Sequence, residues 1–347
     1  MATPTIPERR LMAAGLKKGS AWGTAVALGA GFGVLIEGDG GLNRSQPYIP
    51  ANEADTPMAL DGDLGQIDPV SFSIPFTWRH ALSGLGISVA SFFGTAGSPA
   101  ALSNGYRHTF QWADEIYGNF ITFAVEKLSK IWEVASAKPT ALDLNIADGL
   151  FKGSLSFLGN TVIDNSAVNT STQMDALTYA NRATRAKFST IQVKMNNQSA
   201  GDAYAETALE VSDLAIHYER PHDSPHKAGT SSIIEPAGNA HPIITIDLNF
   251  PRMNTTNNAY FTTDFIGEVE KKIVINIIGN LLGGAVYYET NLYFPRLRVV
   301  ETEYTWDEVI PARIKLQAEE ASANPTGMSY ARPYLTMIND RSTDYLA

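Results

Sequence analysis

The sequence predicts an all-β chain in which two related β-domains follow one another. In residues 70–76, apolar and polar side chains alternate, which is typical of a strand with one buried face. The same alternation returns from Ile244, 174 residues after Val70, and Gly267 repeats the glycine of Gly94 after 173 residues. The chain has 347 residues, with 28 glycines and 18 prolines between short apolar runs. An offset of half the chain length therefore indicates a duplicated unit.

Five segments follow from this pattern. They are an N-terminal arm (1–20), a first β-domain (21–168), a connector (169–186), a second β-domain (187–320) and a C-terminal arm (321–347). The arms contain prolines but no sustained apolar period, which is typical of irregular terminal segments. Two separate sandwiches joined by a linker would produce the same pattern.

Local signals place several elements. Asp148-Gly149 lies between two alternating runs and predicts a tight β-hairpin. Residues 32–37 predict the first strand, and residues 273–278 predict a strand that is covered on both faces. Ser171 or Thr172 is expected to cap a short helix in the connector.

Composition argues against several classes of protein. The formal net charge is −10, and an acidic surface repels nucleic acid. Cysteine is absent, which excludes disulfides, thiolate metal sites and cysteine nucleophiles. The apolar run 21–36 is too short for a transmembrane helix. No G-x-S-x-G nucleophile motif occurs. We therefore expect neither catalysis nor a cofactor.

Two long loops, 38–68 and 220–241, take matching positions in the two halves. The first is rich in aspartate and the second contains histidines. Each is either a solvated excursion or a contact for a neighbouring subunit. Calcium binding at residues 61–72 is disfavoured, because Phe72 occupies the place of the bidentate glutamate. His222 and His226 flank Pro225 in a non-helical segment, so we expect no metal there.

Three features resemble the major tail tube proteins of long-tailed bacteriophages. The segment KKGSAWGTAV at 17–26 looks like the start of these proteins, and the hairpin at 141–159 is similar to their mid-chain signature. The doubled domain resembles the larger members, in which one chain supplies two tube units. The resemblance implies that each domain is a tail-tube-type β-sandwich or split barrel. It also implies that sheets join across subunits into a β-lined cylinder.

The resemblance further implies a structural role in the virion tail, after assembly in the host cytoplasm. Rings of three chains, or of six as the alternative, would stack into a tube that encloses the tape-measure protein and later conducts DNA. Further expected partners are the tail terminator and the baseplate or distal tail proteins, without membrane insertion. The loops and the C-terminal arm would then make the contacts between rings. The candidate residues are Asp55, Asp61, Asp63, Asp68, His222, His226, Tyr330, Tyr334 and Tyr345.

Two functions from other classes stay open at this point. An outer-membrane β-barrel porin would also be acidic and aromatic, although the last residues, Tyr345-Leu346-Ala347, lack the terminal aromatic that is common in such barrels. A two-domain carbohydrate-binding β-protein could use the five tryptophans of the chain as sugar platforms. Core or interface packing explains these tryptophans better.

Overall fold

The computed structural model describes residues 13–38, 41–50, 62–127, 130–181, 184–255, 257–304 and 312–347. Strands account for 47% of it and helical segments for 10%, so the prediction of an all-β fold is confirmed. The first-half strands are β1 (Ala14–Lys18), β2 (Tyr48–Pro50), β3 (Gly62–Leu64), β4 (Val70–Thr77), β5 (Gly94–Thr95), β6 (Ala100–Leu102), β7 (Gly105–Trp112), β8 (Ile121–Lys127), β9 (Lys130–Ala147), β10 (Leu150–Gly159) and β11 (Val162–Asp164). The second-half strands are β12 (Ile191–Asn197), β13 (Asp213–Glu219), β14 (Ile243–Phe250), β15 (Lys271–Gly283), β16 (Val286–Tyr304), β17 (Ala312–Glu319) and β18 (Tyr334–Asn339). The helical segments of the described chain are α1 (Gly84–Phe93), α2 (Ser171–Asp175), a π-helical turn (Tyr260–Asp264) and two 3₁₀ turns (Phe188–Thr190 and Ala203–Ala205).

Seven antiparallel strands form the central part of one large sheet, in the order β4-β10-β9-β13-β14-β17-β16. We call these seven strands the wall. Along β4, Phe72 and Ile74 are buried, whereas Ser71 and Ser73 are exposed. This period of two buries one face of the wall and leaves the other polar. Each large apolar side chain buried in this way contributes about 1.5–3 kcal/mol.

The long strands β9 and β16 connect the wall to an outer layer. The first part of β9 pairs with β8, which also pairs with β1. In the same way, the first part of β16 pairs with β15, which also pairs with β12. Helix α1 is buried along its whole length and contacts β1, β7, β8 and β9. The main hydrophobic core therefore lies between the wall, α1 and these outer strands.

Two sets of five strands have the same pairing order, β1-β8-β9-β10-β4 and β12-β15-β16-β17-β14. A hydrogen bond outside the strands also recurs. The amide of Glu37 donates to the carbonyl of Pro75 at 2.8 Å, and the amide of Ser212 donates to the carbonyl of Asn249 at 2.8 Å. This agreement is consistent with the predicted duplication, which stays a prediction.

The two predicted arms are wrong in part, because each contains a strand of the main sheet. Within 1–20, β1 pairs with β8 and buries Ala14 and Leu16. Within 321–347, β18 pairs with both β16 and β7. β8 and β7 lie more than a hundred residues away from β1 and β18, respectively, and the paired residues of β16 lie more than 40 residues before those of β18. Short apolar patterns do not identify such partners.

Two local predictions also need correction. Residues 32–37 form no strand, and only Gly33 makes an isolated bridge, with Gly15. The cap of α2 is Thr170, one residue before the predicted position, and it forms a capping box with Gln173. The covered strand at 273–278 is confirmed, since Ile273 to Ile277 are buried in β15.

The predicted hairpin at Asp148-Gly149 is confirmed. Both residues have positive φ, 54° and 70°, as the favoured two-residue turn requires. We expect Gly149→Ala to lower the free energy of unfolding by about 1–2 kcal/mol, because alanine is strained in this conformation. Gly201→Ala is the matched control, because a Cβ meets nothing within 4 Å at either position and Gly201 lacks the positive φ. Urea titration of both variants measures the difference, and equal effects would contradict this explanation.

Candidate assembly interface

The outer edge of β4 is the first of two edges of the wall that have no partner strand in the described part of the chain. β4 pairs with β10 on one side. On the other side, the carbonyl of Pro75 accepts from Glu37, so the backbone groups of every second residue, Ser73 and Ser71, point to this same edge. In the described part of the chain, no strand pairs with this edge. Two backbone amides and carbonyls therefore face outward at one end of the wall.

The second unpaired edge lies at the other end of the wall, on β16. β15 covers this side of β16 as far as Leu297, which pairs with Lys271. From Arg298 to Glu303, β16 pairs with β17 on its opposite side only, among the residues that the structure describes. A bulge between Val299 and Glu301 leaves Val300 without a paired residue in β17, and the side chain of Val300 is exposed.

A junction inside the chain shows how strand pairing would join these two edges when they come from different copies. There, β13 lies between β9 and β14 and pairs with both. In the shared pairing order, β16 corresponds to β9 and β4 corresponds to β14. One strand placed between β16 of one copy and β4 of another would therefore repeat the internal junction. The segment that would correspond to β13 begins after Glu37, because β13 begins after Ser212.

The exposed face of the wall is polar, and its arginines are paired with carboxylates, whereas Lys315 has no ion pair among the described residues. Arg313 lies 2.9 Å from Asp247, and Arg298 lies 3.4 Å from Glu319. By cross-strand register and alternation, the charged residues of this face are Asp143, Asp213, Glu219, Asp247, Glu301, Glu303 and Glu319 together with Lys152, Arg296, Arg298, Arg313 and Lys315. Carboxylates thus outnumber cations, and the guanidinium groups are already occupied. Such a surface offers little to a phosphate backbone.

Both long loops lie at the same end of the wall, where β4 begins and β13 ends. They contact each other, since the amide of Ile67 donates to the carbonyl of Ser231 at 2.9 Å. Within the first loop, β2 and β3 form a separate two-stranded sheet, in which Tyr48 is 58% and Leu64 67% exposed. Neighbouring exposed apolar side chains are typical of a protein contact.

The predicted contact residues of the loops differ in their surroundings, and their role as contacts stays a prediction. Asp63 and Asp68 are exposed at this end of the wall, whereas Asp55 and Asp61 lie outside the described residues. His222 and His226 are half-buried. The Nδ1 of His222 lies 2.7 Å from the carbonyl oxygen of Arg220, and burial lowers the pKa of its imidazole. The Nε2 of His226 lies 3.1 Å from the carbonyl oxygen of Ile67. Both histidines therefore hold the loops in shape.

Tyr334 and Tyr345 are wrong as contact residues, because both are buried within the chain. Tyr334 stacks on Tyr293 with ring centroids 4.3 Å apart. Tyr345 is 1% exposed and packs on His108. Tyr330 is half-buried and accepts a hydrogen bond from the side chain of Gln111 at 2.8 Å. These aromatic side chains near the chain end fill the core. Amino-acid composition does not distinguish an aromatic residue of the core from one that contacts another subunit.

Sequence reasoning missed the strand edges. One signal was present, since proline inside a strand favours an edge position and Pro75 lies within β4. The sequence contained no comparable signal for the ion pairs of the wall, because the two residues of each pair lie on different strands. Among the described residues there is no cluster of three or more side chains that could hold a metal ion. No helix of the described part is long and apolar enough to cross a bilayer.

No protein-family model matches this chain, and no curated protein matches it.

Proposed function

We propose that this chain is the structural subunit of a bacteriophage tail tube and that three copies close into a ring. The observation that carries the proposal is the pair of unpaired edges on β4 and β16, at opposite ends of one wall. An unpaired edge is a template for pairing with another chain. Two different edges on one chain favour a head-to-tail contact, which generates a ring or a filament.

The internal junction supports the way in which copies would meet. At that junction, one strand, β13, bridges two strands that correspond to β16 and β4. We infer that the segment after Glu37 takes the place of β13 at the contact between chains. Each chain would then supply two equivalent units to the wall. Three chains give six units, which is the number that the resemblance to tail tube proteins implies.

The polar face of the wall is suited to the lumen of such a ring. A conduit must let DNA pass without binding it, and every free lysine or arginine would add salt-dependent affinity. In this wall the arginines contact carboxylates and the acidic groups are in excess. The buried face would point to the outer layer, which supports the wall from outside.

The end of the wall that has both long loops is the proposed contact between successive rings. Tyr48 and Leu64 would pack on the next ring, and Asp63 and Asp68 lie nearby along the chain. The tape-measure protein would fill the lumen during assembly. The tail terminator and the baseplate or distal tail proteins would cap the two ends. This part of the proposal depends on the resemblance as well as on the exposed side chains of β2 and β3.

Electron microscopy of the purified full chain tests the proposal. We expect negatively stained rings with threefold symmetry that stack into tubes as protein concentration rises. Mass photometry of the unstacked species should give three times the chain mass of 37.6 kDa. A chain that stays monomeric over the whole accessible concentration range would overturn the proposal, and a closed ring of six chains would overturn the trimer.

A further inference from the structure

Lys271, Asn197 and Asp264 form a compact group in the second half, away from the wall. Asn197 is the last residue of β12 and pairs directly with Lys271, the first residue of β15. The Nζ of Lys271 donates to Oδ1 of Asn197 at 2.7 Å and lies 2.6 Å from Oδ2 of Asp264. The lysine and aspartate side chains are only 7% and 11% exposed. An amine, an amide and a carboxyl group thus meet at one point, where the amine and the carboxyl group are nearly buried.

An aromatic ring and a π-helical turn lie beside this group. The Nζ atom lies 5.6 Å from the ring centroid of Tyr260, and Asp264 ends the π-helical turn that supplies this ring. Oδ2 of Asp264 is close enough to Nζ to accept a proton directly, and this transfer would give a neutral amine and a neutral carboxyl group. A neutral lysine amine is a nucleophile. π-helical turns often occur at functional sites, and this one places the carboxyl beside the amine.

We propose that Lys271 and Asn197 join in an intramolecular isopeptide bond, with Asp264 moving the proton. The neutral Nζ of Lys271 attacks Cγ of Asn197, and a new N–C bond forms. Asp264 already holds the proton that it took from Nζ. It gives this proton to Nδ2 and then takes one proton from the attacking nitrogen. The bond between Cγ and Nδ2 then breaks, and ammonia leaves. One amide replaces another, so the step needs no oxidant, reductant or further reactant.

Two further features fit this chemistry. Asn197 as a residue is exposed, which gives ammonia a path to solvent while the amine stays buried. β12 pairs only with β15 among the described strands, so it is an edge strand of the outer layer. A covalent bond at its last residue would fix that edge to the core of the sheet. The crosslink is independent of ring formation, and its test does not depend on the proposed function.

The chain contains its own comparison for this site. In the matching pair of the first half, Lys18 lies opposite Ile121, which has neither an amide nor a carboxyl group. The neighbouring lysine, Lys272, is also buried, but its Nζ donates to the backbone carbonyls of Ala200 and Thr326. The proposal therefore predicts one crosslink per chain, at Lys271 alone.

Intact mass spectrometry of the denatured full chain tests the proposal. We expect the folded protein, after incubation at neutral pH, to be lighter than its sequence by one ammonia. Asn197→Ala and Asp264→Asn should keep the full mass, and Asn197→Asp should lose one water instead. Lys272→Met is the matched control and should still lose ammonia. A parent chain at full mass after incubation, with native circular dichroism, would overturn the proposal.

Peptide mapping locates the bond and excludes another source of the same mass loss. Asn104-Gly105 can lose ammonia by succinimide formation, which does not require Lys271. We expect a branched tryptic peptide that joins the two strands, without cleavage after Lys271, and we expect Lys271→Arg to abolish it. Loss of ammonia that persists in Lys271→Arg would overturn the proposal, because the lysine would then play no part.

Discussion

A Ser73→Pro chain should remain monomeric under the conditions in which the parent chain forms rings. The backbone amide of Ser73 points to the unpaired edge of β4, and proline has no such donor. Loss of one hydrogen bond, with its acceptor left unpaired, costs about 1–3 kcal/mol at each contact between chains. That cost weakens each contact roughly 5- to 150-fold, and a closed ring needs every contact at once. The fold should survive, because the bonds of β4 to β10 come from the alternate residues.

Ser73→Ala is the control for this variant, since it removes the hydroxyl group and keeps the amide. We expect it to assemble like the parent. Mass photometry across a concentration series measures assembly, and circular dichroism with urea titration measures folding. Normal rings from a folded Ser73→Pro chain would show that the edge of β4 does not take part in the contact.

Lys138→Met should cause a large loss of stability. The Lys138 side chain is 1% exposed, and its Nζ lies 2.7 Å from Oε1 of Glu235 and 2.7 Å from the carbonyl oxygen of Pro236. Burial lowers the pKa of Lys138, and the hydrogen bond to Glu235 opposes that shift. Removal of one partner from a buried ion pair leaves the other charge uncompensated and costs about 3–5 kcal/mol. The remaining carboxylate of Glu235 would keep only the amide of Gly118.

The double variant Lys138→Met, Glu235→Gln separates the ion pair from packing. We expect it to recover part of the loss, because glutamine is neutral and can still accept from Gly118. Urea unfolding of the two single variants and the double variant gives the coupling energy. A loss below about 1 kcal/mol for Lys138→Met would mean that this pair behaves like a surface salt bridge. The pair also joins β9 to loop 220–241, so its loss should increase proteolytic cleavage of that loop.

Patterns that are local along the chain predicted much of the fold. The alternation in β4 and β14, the Asp148-Gly149 turn and the apolar run of β15 each depend on neighbouring residues only, and all are present in the structure. β1 and β18 were missed because their sheet partners are distant along the chain. A strand of five or six residues has too little local pattern to be recognised without its partner.

The candidate site was harder to predict, because an edge is defined by what does not pair with it. Pro75 was a signal for the edge of β4, and Pro295 lies at a bulge of β16 just before its pairing with β15 ends at Leu297. Tyr334 and Tyr345 were predicted to be contact residues, but they are buried. Tyr345 is near the chain end, where exposure is common, but it fills a space beside Gly86 in which a Cβ would lie 2.1 Å from its ring. Such complementarity between distant residues exists only after folding.

The position of both long loops at one end of the wall gives the chain a direction. Any column built from identical rings would then display the long loops on its leading surface and turns such as Asp148-Gly149 on its trailing surface. Growth at the two surfaces would require unlike partners, and a protein that terminates one could not terminate the other. The polarity of the column would thus follow from the position of both loops at one end of each chain.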